Sequence, residues 1–306
     1  FLFFFDVANV WGVDYDSSID SSNNPENESD GKREIPFSRE IFIEKDDTYD
    51  THPTKSKRVN AVRKGFNKAG GDSTLSNTNN APTEYTQKNS NMSVEEYYNR
   101  GVERQNSKNY NGAISDYTNA IRIKPDYGSA YFGRAYSKDE LKDYYGAIAD
   151  YTKAIELNPN GDGSYYNRGL SKANLNDHYG AIADFTKAIE LNPNEDSYYN
   201  RGLSKAELKD YYGAISDYTK AIELDPNYVA AYNNRSYSKI RLKDYYGAIS
   251  DGLKTLELDP NYVLAYVNIG ISKEELGDLN GACVAWKKAA ELGDADAAEW
   301  VANQCN

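Results

Sequence analysis

Five arginines recur along one register of this sequence, Arg100, Arg134, Arg168, Arg201 and Arg235, and five aspartates along another, Asp116, Asp150, Asp184, Asp217 and Asp251. A row of guanidiniums can line a carboxylate site, because their forked donors match a planar oxyanion. Both columns stop together, the first at Ile269 and the second at Ala285. That joint loss points to mutual pairing, each arginine with the aspartate sixteen or so residues on, so both columns are read as structural ion pairs. An exposed pair of this kind is worth only about 0–1 kcal/mol.

No other chemistry competes. The sequence has no phosphate-cradling glycine loop, no nucleophile elbow and no metal-ligand cluster, and no catalytic domain fits within residues 1–90. Two histidines, His52 and His178, with two cysteines make no dedicated zinc site. His178 stands in the column of Tyr110, Tyr144, Tyr211 and Tyr245 and reads as a packing substitute. Cys283 and Cys305 supply no disulfide framework, which fits a reducing compartment. The expectation is a protein that is not an enzyme and uses no cofactor or metal.

The elements that carry these columns announce themselves by repetition. The phrase Gly-Ala-Ile-(Ser/Ala)-Asp-(Tyr/Phe) begins at Gly112, Gly146, Gly180 and Gly213, with variants at Gly247 and Gly281, at spacings of 34, 34, 33, 34 and 34. Pro125, Pro159, Pro193, Pro226 and Pro260 keep step. A fixed period of this size means an array. Within one unit, Tyr131, Ala135 and Leu141 share a helical face, a turn follows at Lys142-Asp143, and Ala147, Ile148, Tyr151, Ala154 and Ile155 form a second apolar stripe. Pro159 stops the second helix. Each unit is therefore an antiparallel helix pair that completes its core by stacking on its neighbours. The one missing residue falls between Pro193 and Tyr198, in a loop between units.

Ser93-Val-Glu-Glu96 has the form of a capping box and marks where the array begins. Before it, residues 1–92 are rich in Asp, Ser, Asn, Thr and Gly and cannot bury enough apolar surface to fold, so this region is expected to be mostly disordered. Glu40 to Lys45 alternates like a short strand. Lys55 to Lys68 carries six basic residues around Val59, Val62 and Phe66, and reads as a solvated basic tract rather than a docking segment. The opening Phe1-Leu-Phe-Phe-Phe is too short to span a bilayer and is either the remnant of a signal or anchor at residues 1–5, or a fragment boundary or an odd start codon. A membrane tether is expected only in the first case; otherwise the chain is read as soluble, with the cytoplasm favoured over export.

Charge narrows the partner. The chain has 35 basic and 47 acidic side chains, net −12, and residues 91–306 hold 24 and 32 of them. An acidic surface repels phosphate backbones and anionic lipid, so neither nucleic acid nor a lipid surface is expected as a primary ligand.

The repeats resemble those of the tetratricopeptide repeat family. Its pattern of an aromatic, a small residue four later, a small–aromatic–small run and a proline is filled by Tyr165, Gly169, Ala181, Phe185, Ala188 and Pro193, and by Tyr198, Gly202, Ala214, Tyr218, Ala221 and Pro226. Departures occur: Arg134 and Lys138, Arg168 and Lys172, and Arg201 and Lys205 stand where the family commonly has leucine and tyrosine. Gly252 replaces an aromatic, Thr255 an alanine and Asp294 a proline. The resemblance implies an all-α, right-handed superhelical solenoid of about six repeats, at about 94–127, 128–161, 162–194, 195–228, 229–262 and 263–296 within 93–296. Residues 297–306, with Trp300, form a C-terminal capping helix over the last face.

The resemblance also implies a concave groove lined by the first helices. Its columns here are Tyr98, Phe132, Tyr166, Tyr199, Asn233 and Val267, then Val102, Tyr136, Leu170, Leu203, Tyr237 and Ile271, with Asn99, Asn167, Asn200, Asn234 and Asn268 beside them. Aromatic and apolar anchors flanked by amides suit a peptide or helix of a partner protein, basic or aromatic-apolar in character. The competing reading is that they pack against neighbouring first helices. The carboxylate clamp of co-chaperone members is absent, because those columns hold aromatics and aliphatics while Lys138, Lys172, Lys205, Lys239 and Lys273 lie on another face. The expected function is a protein–protein scaffold, with two alternatives: an accessory or assembly subunit of an enzyme complex, and, more remotely, an RNA-binding helical repeat, which charge opposes.

Overall fold

The computed structural model describes residues 92–305, so the expectations for 1–5, 40–45, 55–68 and the rest of 1–91 lie outside the described residues. Within them, thirteen helices and no strand are found. They divide at Asp244–Tyr245 into two compact units, each taken by itself below.

The unit up to Asp244 contains α1 (Val94–Asn106), α2 (Tyr110–Ile123), α3 (Gly128–Glu140), α4 (Tyr144–Leu157), α5 (Asp162–Asn174), α6 (His178–Leu191), α7 (Glu195–Glu207), α8 (Tyr211–Leu224) and α9 (Val229–Arg241). Odd-numbered helices are the first helices of their repeats and even-numbered ones the second. The capping box at Ser93 forms as expected: the Glu96 amide donates to Ser93 Oγ at 3.1 Å and the Ser93 amide to Glu96 Oε2 at 2.7 Å.

Each second helix starts on an Asn or Asp cap. The carboxylates of Asp143, Asp177 and Asp210 accept from the amides of Gly146, Gly180 and Gly213 at 2.9–3.0 Å, and Asn109 does the same for Gly112. Any β-carbon at Gly146, Gly180 or Gly213 would overlap that carboxylate, which accounts for the glycine that opens every Gly-Ala-Ile phrase. Before the cap the chain reverses through a left-handed residue, Lys108, Lys142, Asn176, Lys209 or Lys243, at φ of 60–63°. The Asp143 amide then reaches back to the Lys138 carbonyl at 2.9 Å, which closes the last turn of the first helix.

Packing inside a repeat joins a ring to a small residue. Tyr117, Tyr151, Phe185 and Tyr218 on the second helices are fully buried, beside alanines 113, 147, 181 and 214. A β-carbon at Gly169 would lie 2.8 Å from the Phe185 ring, and one at Gly202 2.8 Å from that of Tyr218. First helices of successive repeats also touch directly, α1 with α3, α3 with α5, α5 with α7 and α7 with α9. Buried serines, Ser137, Ser171, Ser204 and Ser238, sit along them, and Ser137, Ser171 and Ser238 each donate to the carbonyl four residues back.

The unit from Tyr245 contains α10 (Tyr245–Leu258), α11 (Val263–Glu275), α12 (Leu279–Glu291) and α13 (Ala295–Gln304). Gly252 stands where a ring belongs, and Ile269 of α11 closes the space: a β-carbon at Gly252 would come within 2.7 Å of Ile269. Gly277, at φ +82°, takes the turn position that lysine or asparagine holds elsewhere. The closing helix α13 docks on α12, with Ala297 buried and the rings of Trp286 and Trp300 at 5.3 Å.

One expectation is corrected. Cys283 of α12 and Cys305, just beyond α13, form a disulfide with Cα atoms 5.5 Å apart. They are 22 residues apart in sequence, and the fold-back of α13 brings them together. The cysteines thus hold the end of the array, and a reducing compartment has no support from them.

Candidate interaction face on the first helices

The first-helix row is built from aromatic side chains that lean on the ring column of the second helices. In the unit up to Asp244, Tyr98 lies 5.7 Å from Tyr117, Phe132 5.6 Å from Tyr151, Tyr166 5.8 Å from Phe185 and Tyr199 5.8 Å from Tyr218. Their exposure differs. Tyr98 and Tyr199 are buried, whereas Phe132 and Tyr166 are half-buried.

The cause is the residue that caps the next repeat's first helix. Tyr127 covers Tyr98, with ring centroids 5.1 Å apart, and Tyr228 covers Tyr199 at 4.8 Å. At the same place after Phe132 and Tyr166 stand Gly161 and Asn194, which bring no ring. Burial pushes the Tyr98 hydroxyl well above the usual tyrosine range, and Tyr127 adds to it. The row is therefore open in its middle, at Phe132 and Tyr166, and covered on either side.

The amides divide in the same way. Asn200 Nδ2 donates to the Tyr166 hydroxyl at 3.1 Å, and Asn234 Nδ2 to that of Tyr199 at 2.9 Å, so each ties its repeat to the one before. Asn167 is buried and donates to the Gly163 carbonyl at 2.7 Å, while Asn99 is exposed. Four residues further along each helix, Tyr136, Leu170, Leu203 and Tyr237 are half-buried. Tyr237 also accepts from Arg241 at 3.0 Å and meets Tyr211 edge-on at 6.4 Å. Of the column residues in this unit, Tyr98, Asn167, Tyr199, Asn233 and Asn234 lie in the core, whereas Asn99, Val102, Phe132, Tyr136, Tyr166, Leu170, Asn200, Leu203 and Tyr237 retain accessible surface. In the unit from Tyr245, Val267, Asn268 and Ile271, which continue the columns, are buried.

The arginine and aspartate columns meet on another part of the same repeats. Arg100 grips Asp116 through Nε at 2.9 Å and Nη2 at 2.6 Å. Arg134 with Asp150, Arg168 with Asp184 and Arg201 with Asp217 repeat that bidentate geometry at 2.7–2.9 Å. The carboxylates are buried and each takes a second cation: Arg104 reaches Asp116 at 2.9 Å, and Lys138, Lys172 and Lys205 reach Asp150, Asp184 and Asp217 at 2.8 Å. Arginine Nη1 turns back to a threonine of the preceding repeat, Thr118, Thr152, Thr186 or Thr219, at 3.0–3.1 Å. The guanidiniums also lie 5.4–5.7 Å from the rings of Tyr97, Tyr131, Tyr165, Tyr198 and Tyr232. The guanidiniums of Arg100, Arg134, Arg168 and Arg201 are thus each paired to a carboxylate inside their own repeat. Sequence reading missed the threonines and the lysines as members of this node, although both recur at the array's period.

Among the described residues no group of three His, Cys, Asp or Glu side chains is placed to hold a metal. His178 opens α6 at the place of the tyrosines that open α2, α4 and α8. No helix among them is long and apolar enough to cross a membrane.

Comparison with known proteins agrees with this geometry. Two family profiles, each described as Tetratricopeptide repeat, match residues 95–127 and 128–160, and 164–195 and 195–228. A third profile, the anti-codon binding domain of class I (E and Q) tRNA synthetases, matches residues 5–97 and so overlaps the described structure only at the start of α1. No curated protein matches significantly. Among solved structures, a crystal structure of MamA protein shares 25% identity at a TM-score of 0.52, covering 57% of this chain and 94% of its own. YrrB, titled a TPR protein with an unusual peptide-binding site, shares 23% at 0.56, with coverages of 61% and 97%. PilW, titled a widely conserved type IV pilus biogenesis factor, shares 17% at 0.54, with coverages of 69% and 93%.

Proposed function

The chain belongs to the tetratricopeptide repeat family, and from that premise we propose that it is a non-catalytic scaffold that receives a peptide or helix of a partner protein on its first-helix face. The observation that carries the reading is the uncovered stretch of the aromatic row: Phe132 and Tyr166 are followed by Gly161 and Asn194 where Tyr127 and Tyr228 shield their neighbours. Tyr136 and Leu170 add half-buried apolar area one turn along, and Asn200 supplies an amide. Rigid rings with an adjacent hydrogen-bonding group are the usual anchors of peptide recognition. The surplus of acidic side chains over basic ones in 91–306, 32 against 24, favours a basic or aromatic-apolar segment over an acidic one. YrrB, a TPR protein with an unusual peptide-binding site, has a similar fold, which is consistent with this use.

The test exploits the cover. Gly161 has φ −85°, ψ 93°, close to the φ −85°, ψ 81° of Tyr127, so Gly161→Tyr fits the backbone and places a ring beside Phe132. Full-length wild type, Gly161→Tyr and Tyr136→Ala are immobilised side by side and offered a displayed peptide library and then a native lysate. Ligands retained by wild type and lost by both variants support the reading. Ligands retained equally by all three sink it.

A further inference from the structure

Four tyrosines take no part in the packing or in the first-helix face. Tyr145, Tyr179, Tyr212 and Tyr246 are 75–77% exposed, whereas the adjacent Tyr144, His178, Tyr211 and Tyr245 are half-buried. In the unit up to Asp244, Tyr145, Tyr179 and Tyr212 occupy the second position of α4, α6 and α8, one to a repeat, beside the turn that joins first helix to second. A single exposed tyrosine needs no explanation, but the same residue at the same place in successive repeats forms a row.

We propose that this row is a self-association surface that takes a second copy of the chain, packed antiparallel along it. Period is the first argument: a ligand seated on all three rungs must present contacts at the interval of the repeats, and another copy does so by construction. Packing the row on itself about a two-fold axis is the closed arrangement that a self-complementary patch allows.

Charge is the second. The array is acidic as a whole, yet exposed Lys142 stands beside exposed Asp143, and Lys209 beside Asp210. In the antiparallel arrangement Lys142 meets the partner's Asp210, and Asp143 meets the partner's Lys209. The middle rung, which meets itself, carries Asn176 beside Asp177, so an amide donor faces the opposing carboxylate. Lysine is also an expensive residue at φ 63°, where Gly277 serves the sixth repeat, and it keeps a cation beside the cap carboxylate. Area is the third. Three rings about three-quarters exposed offer on the order of 500 Å² per copy and roughly 1,000 Å² per pair, the lower end of specific interfaces.

Sedimentation of the full chain from about 1 µM to about 500 µM decides the matter. Wild type is expected to pass from monomer to dimer, and the triple variant Tyr145→Ser, Tyr179→Ser, Tyr212→Ser to need about tenfold more protein or beyond to do so. The pair Lys142→Glu and Lys209→Glu, on side chains outside the core, should weaken the dimer at low salt and less so at high salt. It stands in for the triple variant if that loses helical circular dichroism. A wild-type chain that stays monomeric throughout overturns the proposal, and so does a dimer that neither variant weakens.

Discussion

Removing one carboxylate from the ion node should cost far more than removing the node. In Asp184→Ala, Arg168 and Lys172 lose a partner held at 2.7 and 2.8 Å, and their side chains are only 16% and 21% exposed. Stripping one member from a buried pair typically costs about 3–5 kcal/mol, because the remaining charge stays desolvated. The lower end applies here, since water can reach both cations. The sixth repeat shows how the sequence dispenses with the node: Ile269 and Ala285 replace the pair, both buried, and Lys273 turns to the cap carboxylate of Asp278 at 3.4 Å. Copying that solution as Arg168→Ile with Asp184→Ala leaves Lys172 within the same repeat as Asp177 and removes the stranded guanidinium. The double variant forgoes the bond to Thr152 and the ring contact with Tyr165, worth about 1 kcal/mol together. Urea unfolding of the full chain should therefore place Asp184→Ala about 3 kcal/mol below wild type and the double variant within about 1–2 kcal/mol of it. A single variant that loses less than about 1 kcal/mol, or a double variant no better than the single, refutes the account.

Three further outcomes follow from the same geometry. Reducing the Cys283–Cys305 bond, which closes a loop across a separation of 22 residues, should release about 3 kcal/mol of stabilisation from the closing helix. Tryptophan emission from Trp286 and Trp300 would shift red at lower urea than in the oxidised chain, and superimposable curves would contradict this. Lys142→Gly and Lys209→Gly relieve a left-handed backbone and should each raise the free energy of unfolding in urea by up to about 1 kcal/mol, while weakening the proposed dimer. Titrated at 295 nm, Tyr110 and Tyr245 should ionise late, because burial first and then hydrogen bonds to Glu140 and Glu275 push both up to about 12. The folded state holds these protons more tightly, so their contribution is complete below the ordinary tyrosine pKa of about 10 and falls away as pH rises from there through about 12. Tyr110→Phe and Tyr245→Phe should flatten that decline.

Much of the architecture was legible because the repeats state it several times over. The turn, the ring column, the small residues opposite it and the closing proline all recur at one period, and the joint loss at Ile269 and Ala285 was enough to pair two charge columns across sixteen positions. Thr152 and Lys172 were not legible in the same way. A threonine on a helix reads as solvent-facing until the preceding repeat is known to lie alongside, and only stacking brings Arg168 to it. The accessibility of the first-helix row was likewise hidden, because it depends on a residue some thirty positions on: Tyr228 buries Tyr199, and Asn194 leaves Tyr166 open. The disulfide was missed for a related reason, since two cysteines become neighbours only once α13 has folded back.

The joints between repeats carry one more consequence. Arg168 reaches Thr152 as Arg201 reaches Thr186, and Asn200 reaches Tyr166 as Asn234 reaches Tyr199. Each seam from the second to the fifth repeat is closed by the same arginine–threonine bond, and the last two also by the same asparagine–tyrosine bond, so the halves of a seam do little to identify their proper mates. A first helix emerging late in synthesis can dock on an earlier second helix, or on one in another chain, with most of its polar groups satisfied. Interchangeable seams let such an array lengthen or shorten by whole units in evolution without rebuilding a core. The same property makes out-of-register docking a hazard for every molecule as it folds.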